Sequence, residues 1–257
     1  MLARLLVVCW WFGLLLLSAP GAAAPLKLST PRGEPIEVLA EYPVRPSKAA
    51  LPAVVLAPGS GYHMRLPVLE SLARALVKQG IVVYRFNWAY FVKDPEKGTQ
   101  SKDRAAEIED LTTVLDAARR DPAVDKTRIA LAGKSLGSII AWRVLRAQPD
   151  VRAALLLTPV CSSSPTKTVV PEANYPEVSQ EKRTSAWILG DADPACVPAT
   201  LYRLLGTSSL PLRVDVVGGN HGFEHGPATD KVAAARTSRT IDLVTRLSVD
   251  FLEEALR

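Results

Sequence analysis

A serine between two glycines is the strongest chemical signal in this sequence. Residues 132–137 read AGKSLG, so Ser135 has a glycine two positions away on each side. This is the G-x-S-x-G spacing of a nucleophile elbow, in which the serine occupies a strained turn between a strand and a helix. Side chains at Gly133 and Gly137 would collide with the neighbouring strand and helix. The spacing indicates a hydroxyl presented for attack on a carbonyl carbon.

A serine nucleophile needs a base, and histidine has a suitable pKa. The sequence has three histidines, at positions 63, 221 and 225. We expect His221 to be the base because it follows the last predicted strand, in the loop 218–222 (GGNHG). His225 is the second candidate, but we expect it to be an exposed loop histidine. We expect His63 to line the pocket or to face solvent.

The base in turn needs a carboxylate that fixes its tautomer. Residues 190–194 read GDADP and follow a predicted strand. We favour Asp193, because its distance from the strand leaves room to turn back towards His221. Asp191 is the alternative, and either aspartate could instead cap the turn.

Two backbone N–H groups should stabilise the oxyanion. One is that of Leu136, at the N-terminus of the helix after Ser135. For the other we favour Ser60, with Gly61 as the second choice, because Gly59 and Gly61 let this backbone approach closely. We also expect four residues to contact substrate, although core packing would explain the two aromatic ones equally well: Gly59, Gly61, Trp88 and Tyr90.

Alternating strands and helices must position these residues. Strands are predicted at 26–29, 36–42, 53–57, 81–86, 128–132, 153–157, 186–189 and 212–217. Helical periodicity is found near 69–77, 108–118, 139–145 and 241–252, and loops are predicted at 87–100 and 161–183. The first two strands suit an edge hairpin. The rest of the pattern predicts an α/β fold with a mostly parallel sheet and helices on both faces.

The first residues differ from the rest. Residues 1–4 carry a positive charge, residues 5–17 are almost wholly apolar, and residues 18–24 are small. This pattern predicts a secretory signal peptide over 1–23, leaving a single domain over 24–257 without a stable membrane anchor. The apolar run is shorter than the about 20 residues of a membrane span, and an uncleaved anchor is the alternative. We therefore expect a periplasmic or secreted protein.

The composition suits a compact folded protein, with 48% hydrophobic and 22% charged residues. The formal net charge is +5, but the basic residues are scattered, so no nucleic-acid surface is expected. No cluster has zinc-ligand spacing and no glycine turn matches a phosphate loop, so we expect neither a metal nor an organic cofactor. No pattern specifies an oligomeric state.

Two cysteines, Cys161 and Cys196, lie after the predicted signal peptide. In an exported protein such a pair is a disulfide candidate. Both come after predicted core strands at one edge of the sheet, so a bridge is geometrically plausible. Two buried thiols that never meet are the alternative.

Five motifs together resemble the α/β-hydrolase superfamily on its dienelactone-hydrolase-like side, and more narrowly the branch of the testis-expressed hydrolase-like protein. They are PGSG (58–61), RFNW (85–88), GKSLGS (133–138), GDADP (190–194) and GNHG (219–222). Pro58 departs from that branch, where a histidine is usual. The order Ser135, Asp193, His221 is also that of this superfamily.

The resemblance implies hydrolysis through an acyl-serine, and we expect small-molecule esters as substrates because the loop 161–183 is too short and polar for a large lid. Some members of the branch are regarded as binding or scaffold proteins. A non-catalytic binding protein of the cell envelope is therefore the first alternative. A peptidase or acyltransferase with the same three residues is the second.

Overall fold

The structure is a computed structural model that describes residues 23–44, 49–163, 168–206 and 212–257. The expected signal peptide lies outside the described residues except for its last position, and it stays a prediction. No helix within these ranges is long and apolar enough to cross a membrane.

Eight strands are described: β1 (Ala24–Ser29), β2 (Pro35–Glu41), β3 (Leu51–Ala57), β4 (Val82–Asn87), β5 (Val124–Lys134), β6 (Ala154–Leu157), β7 (Ser185–Gly190) and β8 (Leu212–Val217). The described α-helices are α1 (Pro67–Lys78), α2 (Ala89–Lys93), α3 (Ala105–Arg120), α4 (Leu136–Ala147), α5 (Pro171–Asn174), α6 (Pro198–Leu205) and α7 (Lys231–Ala255). The strands β4, β6 and β7 are buried along their whole length, as expected for continuous apolar runs in the middle of a parallel sheet.

All eight strands form one sheet in the order β1-β2-β4-β3-β5-β6-β7-β8. The pairs β1–β2 and β2–β4 are antiparallel, and the other neighbours are parallel. Apolar residues of α3 and α4 pack on one face, and those of α1 and α7 pack on the other. The predicted α/β architecture with an N-terminal edge hairpin is confirmed.

The topology collects the candidate residues at one edge of the sheet. Gly59 to Gly61, Ser135, Asp193 and His221 follow the carboxyl ends of β3, β5, β7 and β8. Since β4 lies on one side of β3 and β5 on the other, the strand order reverses at β3. Open α/β sheets bind their ligands outside the carboxyl ends of the strands, at such a reversal.

Several elements differ from the sequence prediction. The loops predicted at 87–100 and 161–183 contain the short helices α2 and α5, and a 3₁₀ turn covers Val178–Gln180. Helix α6 was not predicted, although Pro198 stands at its start and its buried residues follow helical spacing: Leu201, Leu204 and Leu205. Strand β5 begins at Val124, four residues before the predicted 128. The apolar pattern missed this first part of the strand because it is largely polar.

Cys161 and Cys196 form a disulfide. It joins the loop after β6 to the loop after β7. Between the two alternatives left open by the sequence, the structure selects the bridge. The Cys161 N–H also donates to the carbonyl oxygen of Ala195 at 2.8 Å. The loop that carries Asp193 is therefore attached to its neighbour by a covalent bond and by a hydrogen bond.

Candidate active site

Ser135 occupies the sharp turn between β5 and α4. Its backbone has φ 54° and ψ −116°, a conformation that residues with side chains rarely adopt. A Cβ on Gly133 would lie 2.1 Å from the carbonyl oxygen of Gly137, and one on Gly137 would lie 2.4 Å from that of Ala57. Neither position has room for a side chain. These clashes explain why glycines stand on both sides of the serine.

Hydrogen bonds hold the strained turn from below. The Ser135 N–H donates to the carbonyl oxygen of Leu157 at 2.9 Å, and the Ser138 hydroxyl donates to that of Ser135 at 2.6 Å. The hydroxyl oxygen of Tyr175 lies 2.8 Å from the Ser138 hydroxyl and accepts from the Val160 N–H at 2.8 Å. Because the Ser138 proton is already used, the Tyr175 hydroxyl must donate to Ser138.

Tyr175 is fully buried, and burial raises the pKa of its phenol. The phenol therefore stays protonated and keeps donating to Ser138. Ser138 and Tyr175 were not among the predicted site residues. Position 138 is part of the motif read from the sequence, but nothing local indicated that a tyrosine 37 residues further on would support it.

The side chains of His221, Ser135 and Asp193 meet at the sheet edge. The Nε2 atom of His221 lies 2.8 Å from the Ser135 hydroxyl oxygen. Its Nδ1 atom lies 2.9 Å from each carboxylate oxygen of Asp193. A carboxylate can only accept, so the hydrogen-bond network assigns the proton of neutral His221 to Nδ1. Nε2 is then free to accept the proton of the serine hydroxyl.

The two aspartates of the loop after β7 have separate contacts. Asp193 is buried and accepts from the Ala195 N–H at 2.8 Å in addition to His221. Asp191 is exposed and accepts from the Gly219 N–H at 2.9 Å. The structure thus places Asp193 on the imidazole, while Asp191 links the loop after β7 to the loop after β8.

The other two histidines bond elsewhere. The Nε2 atom of His225 lies 2.9 Å from the hydroxyl oxygen of Thr240 on α7. The Nδ1 atom of His63 accepts from the Arg65 N–H at 3.1 Å. Neither ring hydrogen-bonds to Ser135 in the described part of the chain.

The loop after β3 reaches the serine from above the sheet. A Cβ on Gly59 would lie 3.2 Å from the Cβ of Ser135 and 2.5 Å from the Tyr62 ring, so only glycine allows this approach. The Ser60 hydroxyl donates to the side-chain oxygen of Gln100 at 2.5 Å. Gln100 was not among the predicted residues. Gly61 has φ 67°, which favours glycine because a side chain would be strained there.

Trp88 holds this loop from inside the protein. Its indole N–H lies 3.1 Å from the carbonyl oxygen of Pro58 and 3.3 Å from that of Gly59. In a trans peptide the carbonyl and the N–H point in opposite directions, and the described chain has no cis peptide bonds. With the Gly59 carbonyl held towards the core, the Ser60 N–H points away from it.

The expected substrate contact of Trp88 is wrong. Its side chain is 0% exposed and packs in the core against Phe86, so a substrate at the sheet edge cannot touch it. Tyr90 is only partly buried. Its hydroxyl oxygen makes no hydrogen bond within the described ranges. Burial raises the pKa of this phenol.

The assignment of Leu136 and Ser60 as backbone donors to the oxyanion stays a prediction. Leu136 is the first residue of α4, so its N–H has no acceptor within the helix. The Ser60 N–H belongs to the peptide whose carbonyl Trp88 holds. The contacts of Gly59, Gly61 and Tyr90 with substrate stay predictions.

A strained serine on a strand-to-helix turn, with a histidine and a buried aspartate at the same edge of a doubly wound sheet, is the arrangement of an α/β hydrolase. A family model described as an alpha/beta hydrolase domain matches residues 50–247, which is more than half of the chain. The chain therefore belongs to the alpha/beta hydrolase family. A search of curated proteins finds no match.

Solved structures share the fold at low sequence identity. An alpha-beta serine hydrolase homologue from Coxiella burnetii is 22% identical with a TM-score of 0.65, over 87% of this chain and 96% of that chain. A dienelactone hydrolase from Anabaena variabilis is 16% identical with a TM-score of 0.68, over 93% and 100%. A serine hydrolase without a lid from Xanthomonas campestris is 23% identical with a TM-score of 0.58, over 86% and 94%.

The similarity in fold to a dienelactone hydrolase agrees with the resemblance drawn from the sequence motifs. The narrower resemblance to the testis-expressed hydrolase-like branch stays a prediction.

Proposed function

We propose that the protein is a serine hydrolase that cleaves small carboxylic esters through an acyl-serine intermediate. One observation carries this proposal: Nε2 of His221 lies 2.8 Å from the hydroxyl of Ser135 while Nδ1 faces the carboxylate of Asp193. This is the geometry by which a base takes the proton of a serine nucleophile, with the carboxylate holding its tautomer.

In the acylation step, the Ser135 oxygen attacks the carbonyl carbon of the ester and its proton moves to Nε2 of His221. The negative oxygen of the tetrahedral intermediate accepts from the N–H groups of Leu136 and Ser60. The bond from carbon to the leaving oxygen then breaks. That oxygen takes the proton from His221 and departs as an alcohol.

In the second step, a water gives its proton to His221 and attacks the acyl-serine. The bond to the Ser135 oxygen breaks, the serine recovers its proton from His221, and the carboxylic acid is released. Asp193 stabilises the imidazolium in both steps without taking a proton itself.

The preference for small, soluble esters rests on the connections above the site. In its described residues, the segment between β6 and β7 holds only a four-residue helix and one 3₁₀ turn. Neither element is long enough to cover the sheet edge as a lid. The fold neighbour from Xanthomonas campestris is also a serine hydrolase without a lid.

Export to the periplasm or the medium is part of the same proposal. The signal-peptide pattern supports it, and so does the disulfide, because such bonds persist in oxidising compartments.

The test compares the purified mature protein with a Ser135→Ala variant. The wild type should react with a fluorophosphonate probe and hydrolyse p-nitrophenyl acetate, and the variant should do neither. Equal labelling or turnover in both would remove Ser135 from the mechanism. A folded wild type that neither reacts nor hydrolyses would favour the non-catalytic binding protein. Labelling without ester turnover would favour a peptidase or acyltransferase.

A further inference from the structure

Lys134 is a buried basic residue beside the nucleophile. It is the last residue of β5 and directly precedes Ser135, yet it is only 2% exposed. No Asp or Glu in the described ranges forms an ion pair with it. A buried ammonium ion without a paired carboxylate lowers the stability of the folded protein. The mechanism proposed above gives Lys134 no task.

The contacts of its ammonium group are with the two loops that flank Ser135. The Nζ atom donates to the backbone carbonyl oxygen of His221 at 2.9 Å. It also lies 5.0 Å from the centre of the Tyr62 ring, within the range of a cation–π interaction. Tyr62 belongs to the loop after β3, and His221 belongs to the loop after β8. One side chain therefore joins both loops to the nucleophile turn.

The other backbone anchors of the His221 loop lead to the loop after β7: the Gly219 N–H donates to Asp191 at 2.9 Å, and the Ala192 N–H donates to the Gly219 carbonyl oxygen at 3.0 Å. Gly218 and Gly219 precede the histidine and Gly222 follows it, so the backbone there is permissive. Its internal bonds run from Gly222 N–H and Glu224 N–H to the Asn220 side chain, at 2.7 and 3.0 Å. Within the described residues, none of these bonds attaches the turn to β5, whereas the Lys134 ammonium does.

The charges around Lys134 keep it protonated near neutral pH. Burial lowers the pKa of its ammonium to about 8, and the carboxylates of Asp193 and Glu224 oppose that shift. The other polar groups against it are the Tyr62 ring and the carbonyl of His221. At pH 7 the donor is thus a cation, and hydrogen bonds from charged donors are the stronger ones.

We propose that Lys134 is a positioning residue, whose ammonium clamps the main chain of His221 to the nucleophile turn so that the imidazole meets the Ser135 hydroxyl. This proposal rests on the serine-hydrolase function proposed above. It explains why a costly buried charge stands where an apolar side chain of the same length would give a more stable fold.

The test uses Lys134→Met, which keeps the length and removes the charge, and Lys134→Gln, which keeps an uncharged donor. Lys126→Met is the matched control, because Lys126 is an exposed residue of the same strand. A misplaced base costs about 10- to 100-fold in turnover. We expect kcat of Lys134→Met to fall by about that factor with little change in KM, and the glutamine variant to lie between it and the wild type.

A merely structural lysine would give a different pattern. The clamp predicts that Lys134→Met melts no lower than the wild type while its activity falls. A parallel fall in melting temperature, with unchanged turnover per folded molecule, would overturn the clamp. So would a kcat equal to that of Lys126→Met.

A second measurement does not depend on activity. The proton on Nδ1 of His221 should give a low-field NMR resonance in the wild type because it is held by Asp193, and the resonance should broaden or shift in Lys134→Met. An unchanged resonance would overturn the clamp. An inactive wild type would instead overturn the proposed function, and the resonance would still decide whether Lys134 positions the imidazole.

Discussion

The indole N–H of Trp88 lies 3.1 Å from the carbonyl oxygen of Pro58 and reaches the next carbonyl of the same loop. A fully buried side chain thereby orients the peptide whose N–H we assign to the oxyanion. The proline at position 58 is where the resembling branch usually has a histidine. In this chain the indole N–H of Trp88 holds the loop through the carbonyl oxygens of Pro58 and Gly59. A proline has no N–H to donate, but its carbonyl oxygen can still accept this hydrogen bond.

Replacing Trp88 by phenylalanine should weaken catalysis more than folding. The ring is kept, but the Pro58 and Gly59 carbonyls lose their donor and the Ser60 N–H loses its alignment. Losing an oxyanion donor outright costs about 10²- to 10³-fold in kcat, so misalignment should cost about tenfold. Steady-state hydrolysis of p-nitrophenyl acetate measures this effect.

Trp142→Phe is the matched control for Trp88→Phe, because the Trp142 indole is also buried but donates to Pro176 at 2.9 Å. Equal activity per folded molecule in the two variants would contradict the assigned role of Trp88.

Asp193→Asn should lower kcat/KM by about 10⁴-fold, because an amide can donate to Nδ1 and so stabilise the wrong tautomer of His221. Asp191→Asn is the control, since within the described residues the Asp191 carboxylate accepts only from the Gly219 N–H of the neighbouring loop. The kcat/KM of Asp191→Asn should stay within a few-fold of the wild-type value. A milder loss for Asp193→Asn than for Asp191→Asn would mean that the carboxylate roles are reversed.

Stability should depend on pH through Lys134. Burial lowers the pKa of its ammonium to about 8 in the folded protein, whereas an unfolded lysine titrates near about 10.4. Between these values the unfolded chain binds a proton that the folded chain releases, so the free energy of unfolding rises with pH. Below about 8 the cost of the buried charge, on the order of a few kcal/mol, is present in full.

Urea unfolding of the wild type and of Lys134→Met, measured from pH 7 to 10, separates this effect from the ionisation of other side chains. The difference in unfolding free energy between the two proteins should shift in favour of the wild type as pH rises. A difference that does not change with pH would show that the lysine titrates normally.

Reducing the Cys161–Cys196 bond should destabilise the fold. The bridge joins residues 35 positions apart, and closing a loop of this kind contributes about 2 to 4 kcal/mol. Dithiothreitol should lower the wild-type melting temperature to that of a Cys161→Ser/Cys196→Ser variant and leave the variant unchanged. Two free thiols in the denatured, unreduced wild type would disprove the bond.

The order of elements and the meeting of Ser135, Asp193 and His221 could be read from the sequence because local patterns determine them. Buried strands appear as apolar runs, and parallel strands bring their carboxyl ends to one edge. Residues that follow different strands are then brought together by topology alone.

Roles that depend on side-chain direction could not be read in this way. An aromatic residue near a glycine turn suits a pocket wall and a core position equally well, so the sequence could not tell that the Trp88 indole points inwards. Likewise, Tyr175 reaches Ser138 from a loop without periodicity. Helix α6 was predictable from its leucine spacing, but it is only eight residues long.

The left-handed backbone at Ser135 also has a practical consequence. Glycine is the residue that adopts this conformation without strain, so a Ser135→Gly chain should fold more readily than the wild type. Libraries of this protein selected only for soluble yield should therefore accumulate chains that lack the proposed nucleophile, so such a selection has to be coupled to an assay of ester turnover.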